Sequence, residues 1–157
     1  MRSKRSDQLN EAILLCKIHR ERMLFAWSKL LGIFPLSVEK YNTLQPENLS
    51  FLDQLIFRFS KLQDSMGNKL FPSLLQSLGE ETRSTPFIDL LTKMEELELL
   101  EDANDWLVLR ETRNIVTHEY PFMPQDVVDG LNLLSTHQKL ILTILQKLFA
   151  KIDARFS

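Results

Sequence analysis

Apolar residues recur three and four positions apart along nearly the whole chain, the spacing that places them on one face of an α-helix. The strict alternation of apolar and polar residues that marks a half-buried strand is absent from the sequence. A chain patterned this way buries its stripes only by packing helix on helix, so the sequence predicts an all-α protein. Its 157 residues suffice for a single domain, 1–157, that buries roughly two-thirds of the unfolded surface. With 44% hydrophobic and 25% charged residues, the chain is neither disordered nor of low complexity.

The stripes and their punctuation predict where the helices lie. The first is expected over about 7–31, capped by Ser6 or Asp7, with Leu9, Ile13, Cys16, Met23, Trp27 and Leu31 inward and Gly32 as its stop. Residues 33–48 hold Pro35 and Pro46 and read as a connector with one helical turn near 37–41. A long second helix is expected over about 47–78, through Leu52, Leu55, Phe59, Leu62, Met66, Leu70, Leu74 and Leu78. Gly67 and Pro72 interrupt it, and because the spacing survives both, one helix kinked near Pro72 is predicted. Thr85-Pro86 predicts a helix start with Thr85 as the cap, followed by Phe87, Leu90, Leu91, Met94, Leu97 and Leu100 inward and a solvated acidic face of Glu95, Glu96, Glu98 and Glu101. Asp102 or Asn104 caps a fourth helix. Pro124 opens a fifth that runs to about 154 on Val127, Leu131, Leu134, Ile141, Leu145, Leu148 and Ile152. Long helices joined by short connections specify an antiparallel bundle of four or five helices.

Composition narrows the functional classes. A net charge of −2 gives no global field for nucleic acid, so any RNA contact needs a local basic cleft. Cys16 is the only cysteine and lies in an apolar stripe, which fits a reducing compartment and a small core residue. The basic start at Met1-Arg2-Ser3-Lys4-Arg5 resembles that of a signal peptide, but Lys17, Arg20, Glu21 and Arg22 break up the apolar run that such a peptide needs next. No apolar run approaches the roughly 20 residues that span a bilayer, so a cytoplasmic protein without membrane contact is expected. The chain has no phosphate-cradling glycine loop, no Cys/His pairs at zinc spacing and no glycine-flanked serine, and no metal or cofactor is expected.

The candidate site lies in the fourth helix. Trp106, Leu109, Arg113, Val116 and Tyr120 share one stripe, so Arg113 is a cation on a face otherwise read as core. Burying a guanidinium without partners costs several kcal/mol, so Arg113 must be paired, reach a wet cleft or meet an anionic ligand. Asn114 and His118 are four apart and stacked, beside the row of Arg113 and Thr117. Pro121 should end the helix at about 119 or 120, leaving His118 in its last turn, where the helix dipole favours an imidazolium by roughly 0.3–1 kcal/mol. A guanidinium, an amide, an imidazole and a phenol at one helix end suit a phosphodiester. The plainer alternative is that Arg113 pairs with Glu111, Glu119 or a distant carboxylate while His118 caps the helix. Arg58 and Lys61 in the second helix could extend a basic cleft or form a solvated face, whereas His19 and His137 read as members of polar surface segments.

Arg113-Asn114-Ile115-Val116-Thr117-His118-Glu119-Tyr120-Pro121 resembles the motif of HEPN-domain proteins, specifically the HepT-like toxins that pair with minimal nucleotidyltransferase antitoxins. The segment from Phe57 to Asp64 is similar to the second helix of that family. One departure is Ile115, where many relatives are expected to carry an acidic residue. The resemblance implies a HEPN-like up-and-down bundle, a homodimer that brings two motifs to one cleft, and metal-independent RNA cleavage. Arg113 would bind the phosphate, His118 transfer protons, and Asn114 orient either one. It also implies that the partner nucleotidyltransferase attaches AMP to Tyr120 and thereby silences the site. A non-catalytic HEPN subunit serving the nucleotidyltransferase is the alternative within the same family.

Overall fold

The computed structural model describes residues 3–118 and 123–157, and the described chain is all-helical. Its elements are α1 (Asp7–Ser28), α2 (Val38–Asn42), α3 (Pro46–Ser65), a π-helical turn (Met66–Leu70), α4 (Phe71–Ser77), α5 (Phe87–Glu96), α6 (Ala103–Thr117) and α7 (Pro124–Arg155). Among the described residues the only β-type pairing is an isolated bridge between Ser3 and Phe156. α1 packs along α3, α6 packs along α7, and α3 joins the two pairs through its contact with α6. The core between them is built from Leu9, Met23, Leu55, Phe59, Leu62, Trp106, Leu134 and Leu145, among others. No described helix is long and apolar enough to cross a membrane.

Most predicted stripes are the buried stripes, and the departures have local causes. α1 stops at Ser28 instead of running on to Leu31. The Lys29 and Leu30 amides bond to the Ala26 and Trp27 carbonyls, tightening the backbone into i to i+3 turns that lead to Gly32 at φ +84°. That tightening shifts the inward position by one residue, so Leu30 is fully buried and Leu31 is 68% exposed. Ser6 caps α1 by accepting from the Leu9 amide at 3.1 Å. The predicted turn of the connector is α2, capped by Ser37.

The long second helix is continuous across its two interruptions, but the accommodation is a π turn. The Phe71 amide reaches back five residues to the Met66 carbonyl. Pro72 has no amide hydrogen, and its ring would collide with the Asn68 carbonyl in a regular α turn; one extra residue in the turn before it relieves both problems. Pro72 then sits in the first turn of α4, where proline is tolerated.

α5 begins at Phe87, with Pro86 as its N-cap residue. Thr85 does not cap: its hydroxyl donates to the Glu81 carbonyl at 3.0 Å, closing the preceding loop. The acidic face is exposed as predicted, but it is more than solvated. Glu95 accepts the Ala103 amide at 2.7 Å at the start of α6, Glu96 pairs with Lys93 at 3.1 Å, and Glu101 pairs with Lys147. Asp102 is the cap of α6, accepting from the Asn104 amide at 2.8 Å.

Candidate functional site

α6 carries Arg113 and Asn114 to the wall of an open cleft of about 270 Å³ between α3, the π turn, the start of α5 and α6. The cleft is lined by Gln63 and Asp64 of α3, Gly67 and Asn68 of the π turn, Phe87 of α5, and Trp106 and Arg110 of α6, besides those two residues. Trp106 is buried and tilted against Phe71, with ring centres 4.7 Å apart, so its indole forms a fixed wall. The Arg110 guanidinium lies over the Phe87 ring at 5.1 Å. A Cβ on Gly67 would lie 3.3 Å from the Trp106 ring and 3.5 Å from that of Phe87. Glycine therefore lets the two aromatic rings close on the π turn without filling the cleft.

Arg113 is half-buried and pairs with Asp64, Nη2 to Oδ2, at 3.1 Å; its Nε is buried without a protein partner. The distant carboxylate that pairs with the guanidinium is thus Asp64, on the neighbouring helix. A partly solvated pair of this kind contributes about 1 kcal/mol or less, so an incoming phosphate can compete with Asp64 for the guanidinium.

Gln63 is only 3% exposed, and neither its amide nitrogen nor its amide oxygen has a protein partner. Each such group costs about 1–3 kcal/mol of desolvation when left unmatched. Gln63 is not among the residues expected at the site, although the sequence carries a signal for it. It lies four residues after Phe59 and three before Met66, on the face of α3 that those two bury. Asp64, Asn68 and Arg110 lie on no apolar stripe, and nothing in the sequence connects them until the helices pack.

His118 is outside α6, not in its last turn: its backbone is extended at φ −77° and ψ 145° as the C-cap residue. Its Nδ1 lies 2.7 Å from the Asn114 carbonyl oxygen. A carbonyl only accepts, so Nδ1 carries the hydrogen and Nε2 is the nitrogen that gains or loses a proton. The imidazole lines a different recess from Arg113, a notch of about 60 Å³ shared with Tyr41, Asp53, Ile56 and Val116. Helical geometry accounts for the separation, since residues five apart lie about 140° apart around the axis. Tyr120, with Glu119 and Pro121, lies outside the described residues.

Ile115 is half-buried beside Gly130 of α7, where its Cγ2 lies 2.8 Å from the place a residue-130 Cβ would take. An acidic side chain at 115 would be desolvated against that helix, a physical reason for the apolar residue here.

Arg58 and Lys61 occupy the same row of α3 as Asp64, about 9 Å and 4.5 Å from it along the axis, but neither lines the cleft. Both lie over the exposed Phe57 ring, at 5.0 Å and 5.6 Å. Arg58 also donates to His19 Nδ1 at 3.1 Å. His19 is therefore no solvated surface residue: burial and then the charges of Arg58, Lys61 and Arg22 lower its pKa, so the imidazole is neutral and accepts. His137 is likewise engaged, its Nδ1 lying 2.6 Å from the hydroxyl of buried Thr112. Burial pushes the Cys16 thiol up to about 12, which leaves it an inert core residue. Among the described residues no group of three or more His, Cys, Asp and Glu side chains is gathered closely enough to hold a metal ion.

The chain matches no family model, no curated protein and no solved structure.

Proposed function

We propose that the chain is a HEPN-type endoribonuclease, the toxin of a toxin–antitoxin pair, which cleaves RNA in the cytoplasm without a metal ion. The observation that carries this reading is the placement of Arg113: half-buried, held weakly by Asp64, and opening into a cleft whose rim adds Arg110, Asn68 and Asn114. Two guanidiniums and two amides can surround the non-bridging oxygens of a phosphodiester and stabilise the charge that grows on them during displacement. RNA brings its own nucleophile. A base removes the 2′-hydroxyl proton, the 2′-oxygen attacks phosphorus, and the bond to the 5′-oxygen breaks as that oxygen takes a proton, giving a 2′,3′-cyclic phosphate and a 5′-hydroxyl.

His118 supplies the proton transfer through Nε2, its Nδ1 hydrogen being held by Asn114. Because Arg113 and His118 of one chain line different recesses, the working site is composite. A two-fold dimer with the ends of α6 adjacent brings one chain's His118 to the phosphate bound by the other chain's Arg113. Arg58 and Lys61 would extend the phosphate track along α3. A minimal nucleotidyltransferase that attaches AMP to Tyr120 would add a negatively charged phosphate to the toxin and silence it.

The second reading, a non-catalytic HEPN subunit that binds substrate for the nucleotidyltransferase, draws on the same separation of Arg113 from His118. The deciding experiment incubates the purified protein with RNA in the presence of a chelator. Cyclic-phosphate products that vanish in a folded His118→Ala variant are expected. Undiminished cleavage by that variant, or an inert wild-type dimer, would remove the nuclease reading and leave the binding subunit. Sedimentation gives the oligomeric state, and intact mass after coexpression with the nucleotidyltransferase reads modification at Tyr120.

A further inference from the structure

The phosphate-binding groups occupy only part of the cleft, and the rest of its lining has no use in the cleavage reaction. Gln63 presents an amide donor and an amide acceptor, both buried and both unmatched by protein. Trp106 and Phe87 supply flat apolar walls, and Gly67 keeps the floor free of a side chain. The π turn that places Gly67 and Asn68 there is itself a costly backbone form that concentrates at functional sites. At about 270 Å³ the space falls below the roughly 300–1,000 Å³ that encloses drug-sized molecules, and it suits one planar ring system with a polar edge.

We propose that this cleft is a base-selecting subsite that takes a single nucleotide, with Gln63 pairing to the edge of the base and Arg110 and Arg113 holding its phosphate. The amide alone does not choose among bases, because its donor and acceptor can exchange ends by rotation. Asp64 breaks that symmetry. Its carboxylate only accepts, so it favours a base edge rich in N–H donors. Adenine, cytosine and guanine carry an exocyclic amino group; uracil offers a lone ring N–H between two carbonyl oxygens that the carboxylate repels. The subsite therefore prefers an amino-bearing base over uracil, and adenine, which a glutamine amide pairs with at two points, is the natural occupant. The inference rests on the ribonuclease reading for its role in choosing the RNA residue that enters, but the binding it describes stands by itself.

The test is titration of the protein with adenosine monophosphate and with uridine monophosphate while following the indole resonances of its two tryptophans. Trp106 lines the cleft, whereas Trp27 stacks on Phe34 elsewhere and serves as the internal control. The expected result is a saturable shift at Trp106 alone, with adenosine monophosphate bound about tenfold or more tighter than uridine monophosphate. Asp64→Asn should abolish that preference, whereas Gln63→Leu should weaken both ligands while leaving the thermal midpoint equal or higher, because a leucine needs no hydrogen-bond partner there. Gly67→Ala, which adds a methyl group to the floor, should weaken both ligands. A short RNA of each base, assayed beside the free nucleotides, distinguishes a residue of RNA from a free nucleotide as the occupant. Equal affinity for the two nucleotides, no shift at Trp106, or an Asp64→Asn variant that keeps the preference would overturn the inference. Absence of RNA cleavage with selective nucleotide binding intact would instead sink the nuclease reading and leave the subsite standing.

Discussion

His19 illustrates how much a single side chain's setting changes its behaviour. Read on its own helix it belongs to a run of charges; in the fold, α3 brings Arg58 and Lys61 against it, and burial with these cations lowers its pKa from the ordinary 6.5. An unfolded chain then binds the proton more readily than the folded one. The resulting stability is whole above pH 6.5 and is lost as the pH falls through that value toward the lowered folded one. Acidification from neutrality should therefore lower the thermal midpoint, and His19→Gln should show a smaller drop; equal losses in the two proteins would assign the acid sensitivity elsewhere. Arg113 and Gln63 show what is legible in a sequence at this scale and what is not. A polar residue on a buried stripe announces itself, but its partner does not: Asp64 lies 49 positions away from Arg113, and only the crossing of α3 and α6 joins them.

At the scale of the elements, caps and stripes are readable because they are local. Asp102 is expected as a cap and accepts the Asn104 amide, while Glu95 of α5 accepts that of Ala103, so two of the otherwise unmatched amides at the start of α6 are satisfied from two different places. Asp102→Ala should lower stability by about 1 kcal/mol, measured by urea unfolding, without changing the oligomeric state. A loss below a few tenths would mean that Glu95 compensates. Competition at helix ends is not readable in the same way. The tightened turn after α1 puts Leu30 in the core in place of Leu31, and Thr85 turns back to the Glu81 carbonyl instead of capping α5. After α1 the helical pattern continues past the point at which neighbouring backbone bonds stop the helix, and before α5 a loop carbonyl takes the hydroxyl that would have capped it. The end of α6 is the instance with functional weight, since His118 has already left the helix that its spacing from Arg113 assumes.

At the scale of the whole molecule, the stripes foretell an all-helical protein and one long helix through Gly67 and Pro72, because the total of buried apolar surface depends on period and not on any one residue. They do not foretell which recess each of Arg113 and His118 opens into, since that depends on which helix covers which side of α6. The same holds for the cleft, whose lining comes from three helices and a π turn. That turn has a further consequence. It holds one residue more than the α turn it replaces, so it works as a phase shifter: everything after it is rotated by about 100° relative to a regular helix. Phe71, Leu74 and Leu75 are buried in the phase that this offset sets. Deleting Asn68 would leave every apolar side chain in the sequence, yet swing those three away from their partners and set the Pro72 ring against the carbonyl four residues before it. The expected product is a protein of undiminished helical content by circular dichroism that has lost its cooperative unfolding transition; a sharp transition near the wild-type midpoint would show that the rest of the bundle can turn with it.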